Sequence, residues 1–303
     1  DKYKTTGDPL WLPRLPMTKA VVRAMDTIQA EYPAVNGFVV SGGSKRGWTT
    51  WTTGLVDPRV EAIIPIVIDV LNLEVSMQHH WDAYGYWADA LSDYVDMDIM
   101  SWLHTPQFRD MMGVVDPYRY ADNRLTMPKY IMNATGDQFF LPDNSQFYYN
   151  ELPEEKHLRY VPNAKHNLEG SDARDSLAAF YLMVLEGTPR PKFTWKKESD
   201  GTLWVTVKDK PAEVNLWQAT NPKARDFRVD TIGKAYTSSR LEAQADGTYL
   251  GQVAQPAQGF TAFFVELVYP MGHKLPLKFT TEVSVVPDVL PFKGKMPGGT
   301  AAQ

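Results

Sequence analysis

Three residues of this chain have the types and the chain order needed for acyl transfer: Ser44, Asp137 and His166. A serine hydroxyl is a weak nucleophile, so it needs a base within hydrogen-bond reach, and that base needs a carboxylate to hold its tautomer. Ser44 sits in Val39-Val40-Ser41-Gly42-Gly43-Ser44-Lys45-Arg46-Gly47, where small residues surround the serine. A sharp strand-to-helix turn carrying a nucleophile needs that space. The usual spacing is G-x-S-x-G; here Arg46 takes the place of the second glycine and Gly47 follows one residue later. Asp137 comes after Thr135-Gly136, and His166 after Pro162-Asn163-Ala164-Lys165. Each lies just past an apolar run that reads as a strand, and sites in open α/β sheets form at such C-terminal strand ends.

The neighbouring residues divide into candidates and competitors. Asp143 competes with Asp137, but it stands beside Pro142 at a helix start, where capping accounts for it. The backbone N–H of Lys45 is the expected oxyanion donor, with a second donor from an earlier loop that this chain does not contain. Lys45 and Arg46 are cations beside a centre that develops negative charge. Arg46 either holds a substrate carboxylate or pairs with an acid of the fold. His79 and His80 lie in an aromatic-rich stretch, and His80, Trp81 and Tyr84 are candidates for substrate contact, with core or surface roles open beside that. The set His79, His80 and Asp82 is a poor metal site, because adjacent helical residues do not share a face. No metal and no cofactor is expected. His104, His157 and His273 have no catalytic context.

The elements that must position these groups follow from periodicity. Val21, Met25 and Ile28 share one face of a helix over 16–30. A strand at 38–41, a helix at 45–54 stopped by Asp57-Pro58, and a strand at 62–68 follow. That rhythm argues for a parallel α/β sheet. Residues 70–125 interrupt it with helices rich in Trp81, Tyr84, Tyr86, Trp87, Tyr94 and Trp102, readable as a cap over a site or as a covering layer. Strands at 129–134 and 157–161 resume the rhythm, with helices at 143–150 and 172–185, the last stopped by Gly187. From Pro189 short strands take over, at 193–195, 203–207, 214–217, 249–253, 261–267 and 280–286, with Asp200-Gly201 and Asp246-Gly247 as turns. The expected fold is an α/β-hydrolase-like parallel sheet, its N-terminal strands absent from this chain, with a helical cap insertion at about 70–125, plus a C-terminal Ig-like β-sandwich. The expected domains are 1–188 and 189–303. The tail past Pro291 reads as loose.

Bulk properties exclude several classes. The 303 residues contain no cysteine, so disulfides, thiol catalysis and cysteine metal sites are out. The net charge of −5 and the lack of a long basic run give nucleic-acid binding no electrostatic footprint, and none is expected. No apolar run is long enough for a membrane span, and none of these residues reads as a signal peptide. Aromatics make up 12% of the chain, with nine Trp, which suits an aromatic groove and an aromatic core equally. The chain opens on Asp1-Lys2-Tyr3, so upstream residues are expected to be missing, and an N-terminal segment of the same precursor is expected to complete the sheet.

Several longer strings resemble one known family, the PhoPQ-activated pathogenicity-related proteins. They are Gly7-Asp8-Pro9 with Leu15-Pro16-Met17-Thr18-Lys19-Ala20, Ser41 to Trp51, and Gly136-Asp137-Gln138-Phe139-Phe140. Leu216 to Pro222, Arg225-Asp226-Phe227-Arg228 and Phe263 to Leu267 extend the likeness to the C-terminal part. The resemblance implies an α/β-hydrolase domain with an appended β domain, longer at its N-terminus, and a triad on Ser44, Asp137 and His166. It also implies an exported protein, periplasmic or secreted, linked to virulence regulation in enterobacteria. The expected activity is that of a serine hydrolase, peptidase or carboxylesterase, acting on a small peptide or ester through an acyl-enzyme. The alternative is a binding or signalling protein on a hydrolase scaffold with vestigial catalysis.

Overall fold

The computed structural model describes residues 2–270 and 275–296. His273 and the last seven residues of the expected tail lie outside them. The chain begins with α1 (Lys2–Thr6) and α2 (Arg14–Glu31), then β1 (Phe38–Gly43), α3 (Lys45–Val56) and β2 (Val60–Ile66). β1 and β2 pair in parallel, from Val39 opposite Ala62 to Gly43 opposite Ile66. Of the three residues expected to share a buried face of α2, only Met25 is buried, and Ile28 is 41% exposed. The helix meets α3 along a narrow stripe, marked by the Thr18–Thr52 hydroxyl contact at 2.6 Å.

Between β2 and the next strand lie α4 (Leu73–Tyr84), α5 (Ser92–Asp96), α6 (Pro106–Val115) and α7 (Ala121–Arg124), joined by short 3-10 turns. Several of the aromatics of this stretch pack against one another. His80 and Tyr84 rings meet at 4.8 Å and those of Trp81 and Trp87 at 5.2 Å, while Tyr86 is exposed. Asp116 staples the layer: its carboxylate accepts the N–H of Leu73 at 2.9 Å and of Tyr118 at 3.0 Å. Phe292 donates its N–H to the Asp82 carbonyl at 2.9 Å, so the start of the tail is seated rather than loose.

β3 (Lys129–Ala134) and β4 (Lys156–Val161) complete a four-stranded sheet of order β1-β2-β3-β4, leaving β1 on one edge. Every residue of β3 is buried, as expected of a strand covered on both faces. The helix expected at 143–150 is instead two 3-10 turns, Asn144–Phe147 and Tyr149–Glu151. Neighbouring side chains there are tied to different partners, which one helical face cannot serve. Gln146 donates to the Asp143 carbonyl at 2.8 Å, Tyr148 to Asp69 at 2.5 Å and Tyr149 to the Lys156 carbonyl at 2.9 Å. α8 (Ala173–Leu185) ends at Gly187, whose φ is +64°.

The strand-rich remainder comprises β5 (Phe193–Lys197), β6 (Leu203–Val207), β7 (Glu213–Asn221), the short α9 (Val229–Ile232), β8 (Thr237–Arg240), β9 (Tyr249–Gly251), β10 (Phe260–Pro270), β11 (Pro276–Thr280) and β12 (Ser284–Val286). They form two antiparallel sheets: β11-β10-β7-β8 with β12 on β10, and β5-β6-β9. The strand expected at 280–286 is broken, because the Thr281 hydroxyl accepts the Val265 N–H and donates to the Glu282 carbonyl. Compact units do not follow chain order. One gathers the residues up to Ile131, Phe147–Lys156 and the segment from Phe292; the other gathers Met132–Gln146 and His157–Pro291.

Burial of Asp116, 2% exposed, pushes its carboxyl from 3.8 to about 6, against the N–H donors that favour the anion. A raised acid pKa means the fold holds the proton more tightly than the unfolded chain does. The contribution is therefore fully present below about pH 4 and lost as pH rises through 6. Urea unfolding of wild type and Asp116→Asn across this range should show wild type losing roughly 1–3 kcal/mol relative to the variant. Parallel stability curves would refute it.

Candidate functional site

β1 delivers the chain to Ser44 at φ +56° and ψ −126°, and its N–H donates to the Ile66 carbonyl at 2.9 Å. A non-glycine residue there stores strain of roughly 1–3 kcal/mol. Two glycines make the turn possible. A Cβ on Gly42 would stand 2.7 Å from the Arg46 carbonyl oxygen, and one on Gly47 would stand 2.7 Å from Ile68 and 2.8 Å from the Gly42 carbonyl oxygen. Gly43 has 4.0 Å of clearance, so its small size is not required. The extra residue before the second glycine is thus absorbed by α3, whose first turn packs Gly47 back onto β1 and the chain beyond β2.

The first N–H groups of a helix have no intrahelical acceptor, and here Lys45 opens α3 directly after Ser44. The side chains of Lys45 and Arg46 are exposed and make no ion pair among the described residues. Arg14 is different: buried, it donates to the Lys45 carbonyl at 2.6 Å and its guanidinium lies 4.4 Å from the Trp48 ring centre. Burial pulls its pKa down, partly opposed by Tyr94. No local pattern marked Arg14 as a support of the turn, since its partners lie about thirty residues on.

The second unit carries Asp137 and His166, the residues expected as acid and base. Asp137 is 3% exposed; one carboxylate oxygen meets His166 Nδ1 at 2.8 Å and the other accepts the Phe139 N–H at 2.7 Å. His166 donates its own backbone N–H to the Gln138 side chain at 3.1 Å, and its ring lies 4.5 Å from that of Phe139. With Nδ1–H given to the carboxylate, Nε2 carries the lone pair; it is buried and has no hydrogen-bond partner among the described residues. This pair can take up and return a proton at Nε2.

Residues 225–236 grip the loops that carry the pair. The Val229 N–H donates to the Gly136 carbonyl, and Lys165 pairs with Asp230. The Asn163 amide donates to the Tyr236 carbonyl and accepts its N–H, both at 2.9 Å. Asp143, expected as a helix cap, instead meets Arg225 at 2.6 Å, both nearly fully buried. Arg225 left no signal near the site in sequence, because its partner is 82 positions away.

The remaining candidates sit in the helical insertion of the first unit. His80 is 1% exposed and its Nε2 accepts the Ala88 N–H at 3.2 Å, Tyr84 is buried, and Trp81 is half-buried. His79 is buried with its ring 4.9 Å from Phe147. His104 contacts Glu74 and Gln78, and His157 stacks on Phe279 at 4.2 Å. Among the described residues no three His, Asp or Glu side chains are grouped to hold a metal ion, and no helix is long and apolar enough to cross a membrane.

Thermal unfolding should separate the three glycines: Gly42→Ala and Gly47→Ala each cost roughly 1–3 kcal/mol through overpacking, and Gly43→Ala stays near wild type. Equal effects at all three would contradict the packing described. Arg225→Met removes the guanidinium beside a buried carboxylate and should destabilise by about 3–5 kcal/mol. The double variant Arg225→Met/Asp143→Asn should recover part of that loss in the same measurement.

A family model described as PhoPQ-activated pathogenicity-related protein matches residues 1–228. Autocrine proliferation repressor protein A of Dictyostelium discoideum is 42% identical over 319 aligned residues, covering 95% of this chain and 64% of that protein. The chain therefore spans a little under two thirds of that relative's length. Among solved structures, an acetyl xylan esterase from Paenibacillus sp. R4 matches with a TM-score of 0.43 and 17% identity over 57% of this chain and 51% of its own. Acylaminoacyl peptidase of Pyrococcus horikoshii matches with a TM-score of 0.43 and 14% identity over 56% of this chain and 27% of its own. At those scores neither likeness assigns an activity. The match over residues 1–228, together with a 42% identical relative along almost the whole chain, shows that the protein belongs to the PhoPQ-activated pathogenicity-related family.

Proposed function

We propose that Ser44, His166 and Asp137 act as nucleophile, base and acid of a serine hydrolase that cleaves an ester or a peptide. The observation that carries this reading is His166, held at Nδ1 by a buried carboxylate while Nε2 is left without a hydrogen-bond partner. A buried orphan nitrogen costs stability and calls for a use. The strained turn at Ser44 supports the same reading from the other unit.

In this mechanism Nε2 takes the proton from Ser44 Oγ as Oγ bonds to the substrate carbonyl carbon. The oxyanion that forms is met by the backbone N–H of Lys45. The C–N or C–O bond then breaks, the leaving group takes the proton from His166, and water repeats the sequence on the acyl-enzyme. Asp137 holds the tautomer and faces the imidazolium.

Lys45 and Arg46, both without an ion-pair partner among the described residues, favour a substrate with a negative charge close to the scissile bond. β1 is an edge strand here, and the longer relative leaves room for a further segment of the same polypeptide to add strands to that edge.

A fluorophosphonate probe tests the nucleophile. Wild type should label and Ser44→Ala should not, and Asp137→Asn should lower kcat on an activated ester by roughly four orders of magnitude. Failure of the correctly folded, full-length protein to label would leave a non-catalytic binding role as the reading. For charge selection, kcat/KM for a carboxylate-bearing ester over its neutral analogue should exceed one, fall with salt, and approach one in Lys45→Ala/Arg46→Ala.

A further inference from the structure

Glu266 on β10 is 1% exposed, yet only one of its two carboxylate oxygens is satisfied. Oε1 accepts the Trp217 indole N–H at 3.2 Å and has the Lys278 ammonium at 3.9 Å. Oε2 accepts no hydrogen bond from the described residues. A buried carboxylate oxygen without a donor is costly, so its persistence requires an explanation. The register supplies the geometry: Trp217 faces Phe264 and Asn215 faces Glu266, which makes Trp217 and Glu266 diagonal neighbours on one sheet face.

These residues wall a cavity of about 240 Å³ that lies wholly within the second compact unit. It is smaller than a typical drug-sized pocket and larger than a water site, with room for about eight waters at their liquid volume. The loop 169–172 that precedes α8 also lines it, and there Asp172 holds Lys278 at 2.8 Å. The acids Glu169, Asp172 and Glu266 are nearly balanced by Lys234 and Lys278, so the lining selects neither a strong anion nor a strong cation. What it offers is closely spaced acceptors and ammonium donors around an indole. That combination fits a neutral guest carrying several hydroxyls on a compact ring, with its C–H face toward Trp217 and a hydroxyl proton given to Glu266 Oε2. Glu266 and the half-buried Trp217 both line the cavity.

We propose that this cavity, lined by neither His166 nor Asp137, is a subsite for a single saccharide ring. The test uses the full chain and methyl glycosides of glucose, xylose and N-acetylglucosamine as probes, followed by saturation-transfer NMR and calorimetry. At least one glycoside should bind saturably at millimolar concentration, with affinity about tenfold weaker in Glu266→Gln and in Trp217→Leu. Ser44→Ala should bind as wild type does, which keeps this result independent of the hydrolase reading. If Trp217→Leu fails to fold, Trp217→Phe serves in its place, removing the indole donor and keeping the ring. Absence of binding for all three glycosides, binding unchanged by both substitutions, or saturable binding of butylammonium in their stead would overturn the proposal.

Discussion

A serine backbone at φ +56° and ψ −126° persists only where its surroundings leave no easier path. Here the parallel ladder ends by giving the Ser44 N–H to Ile66, so the strand cannot run on, and Gly42 and Gly47 let α3 fold back at contact distance. The cost is met by the core beneath: Trp51 on α3 and Ala62 and Ile63 on β2 are fully buried. The turn is thus a product of sheet pairing and core packing together. Arg14, pressed between the Trp48 ring and the Lys45 carbonyl, braces the first turn of the helix from outside.

Charge burial plays the corresponding part in the second unit. Arg225 with Asp143, Arg159 with Asp172, and His166 with Asp137 place four nearly inaccessible groups, Arg225, Asp143, Arg159 and Asp137, beside opposite or titratable partners. Such pairs add little net stability over an apolar core, but each fixes one geometry and penalises others. The chain past Pro189 therefore does more than cover a surface: residues 225–236, between β7 and β8, reach the loops bearing Asp137 and His166 and hold them by backbone, amide and ionic contacts.

Legibility in the sequence followed the range of the forces. Strands β1, β3 and β4 could be read because apolar runs bounded by glycine or polar turns have few other solutions, and α8 because Gly187 stops it. The 143–150 segment defeated periodicity because Gln146, Tyr148 and Tyr149 each answer to a different acceptor, that of Tyr148 lying 79 positions away. β8, with the wholly exposed sequence Thr-Ser-Ser-Arg, carries no apolar signal and exists because β7 offers it a ladder. The glycines at Ser44 were visible as a cluster, but only three dimensions distinguish the two that are required from Gly43. Arg14, Arg225 and the Glu266 cavity depend on contacts thirty to more than eighty positions apart, which no local window contains.

The two compact units exchange chain repeatedly: one holds the residues up to Ile131 and takes back Phe147–Lys156 and the segment from Phe292, and the other takes everything between. No single crossover in a gene could therefore swap either unit for a counterpart from another protein. A recombinant joined at one point would inherit strands from one parent and the loops that complete their unit from the other. Such a chain can drift by substitution and lengthen at its loops, but it is inherited as one block.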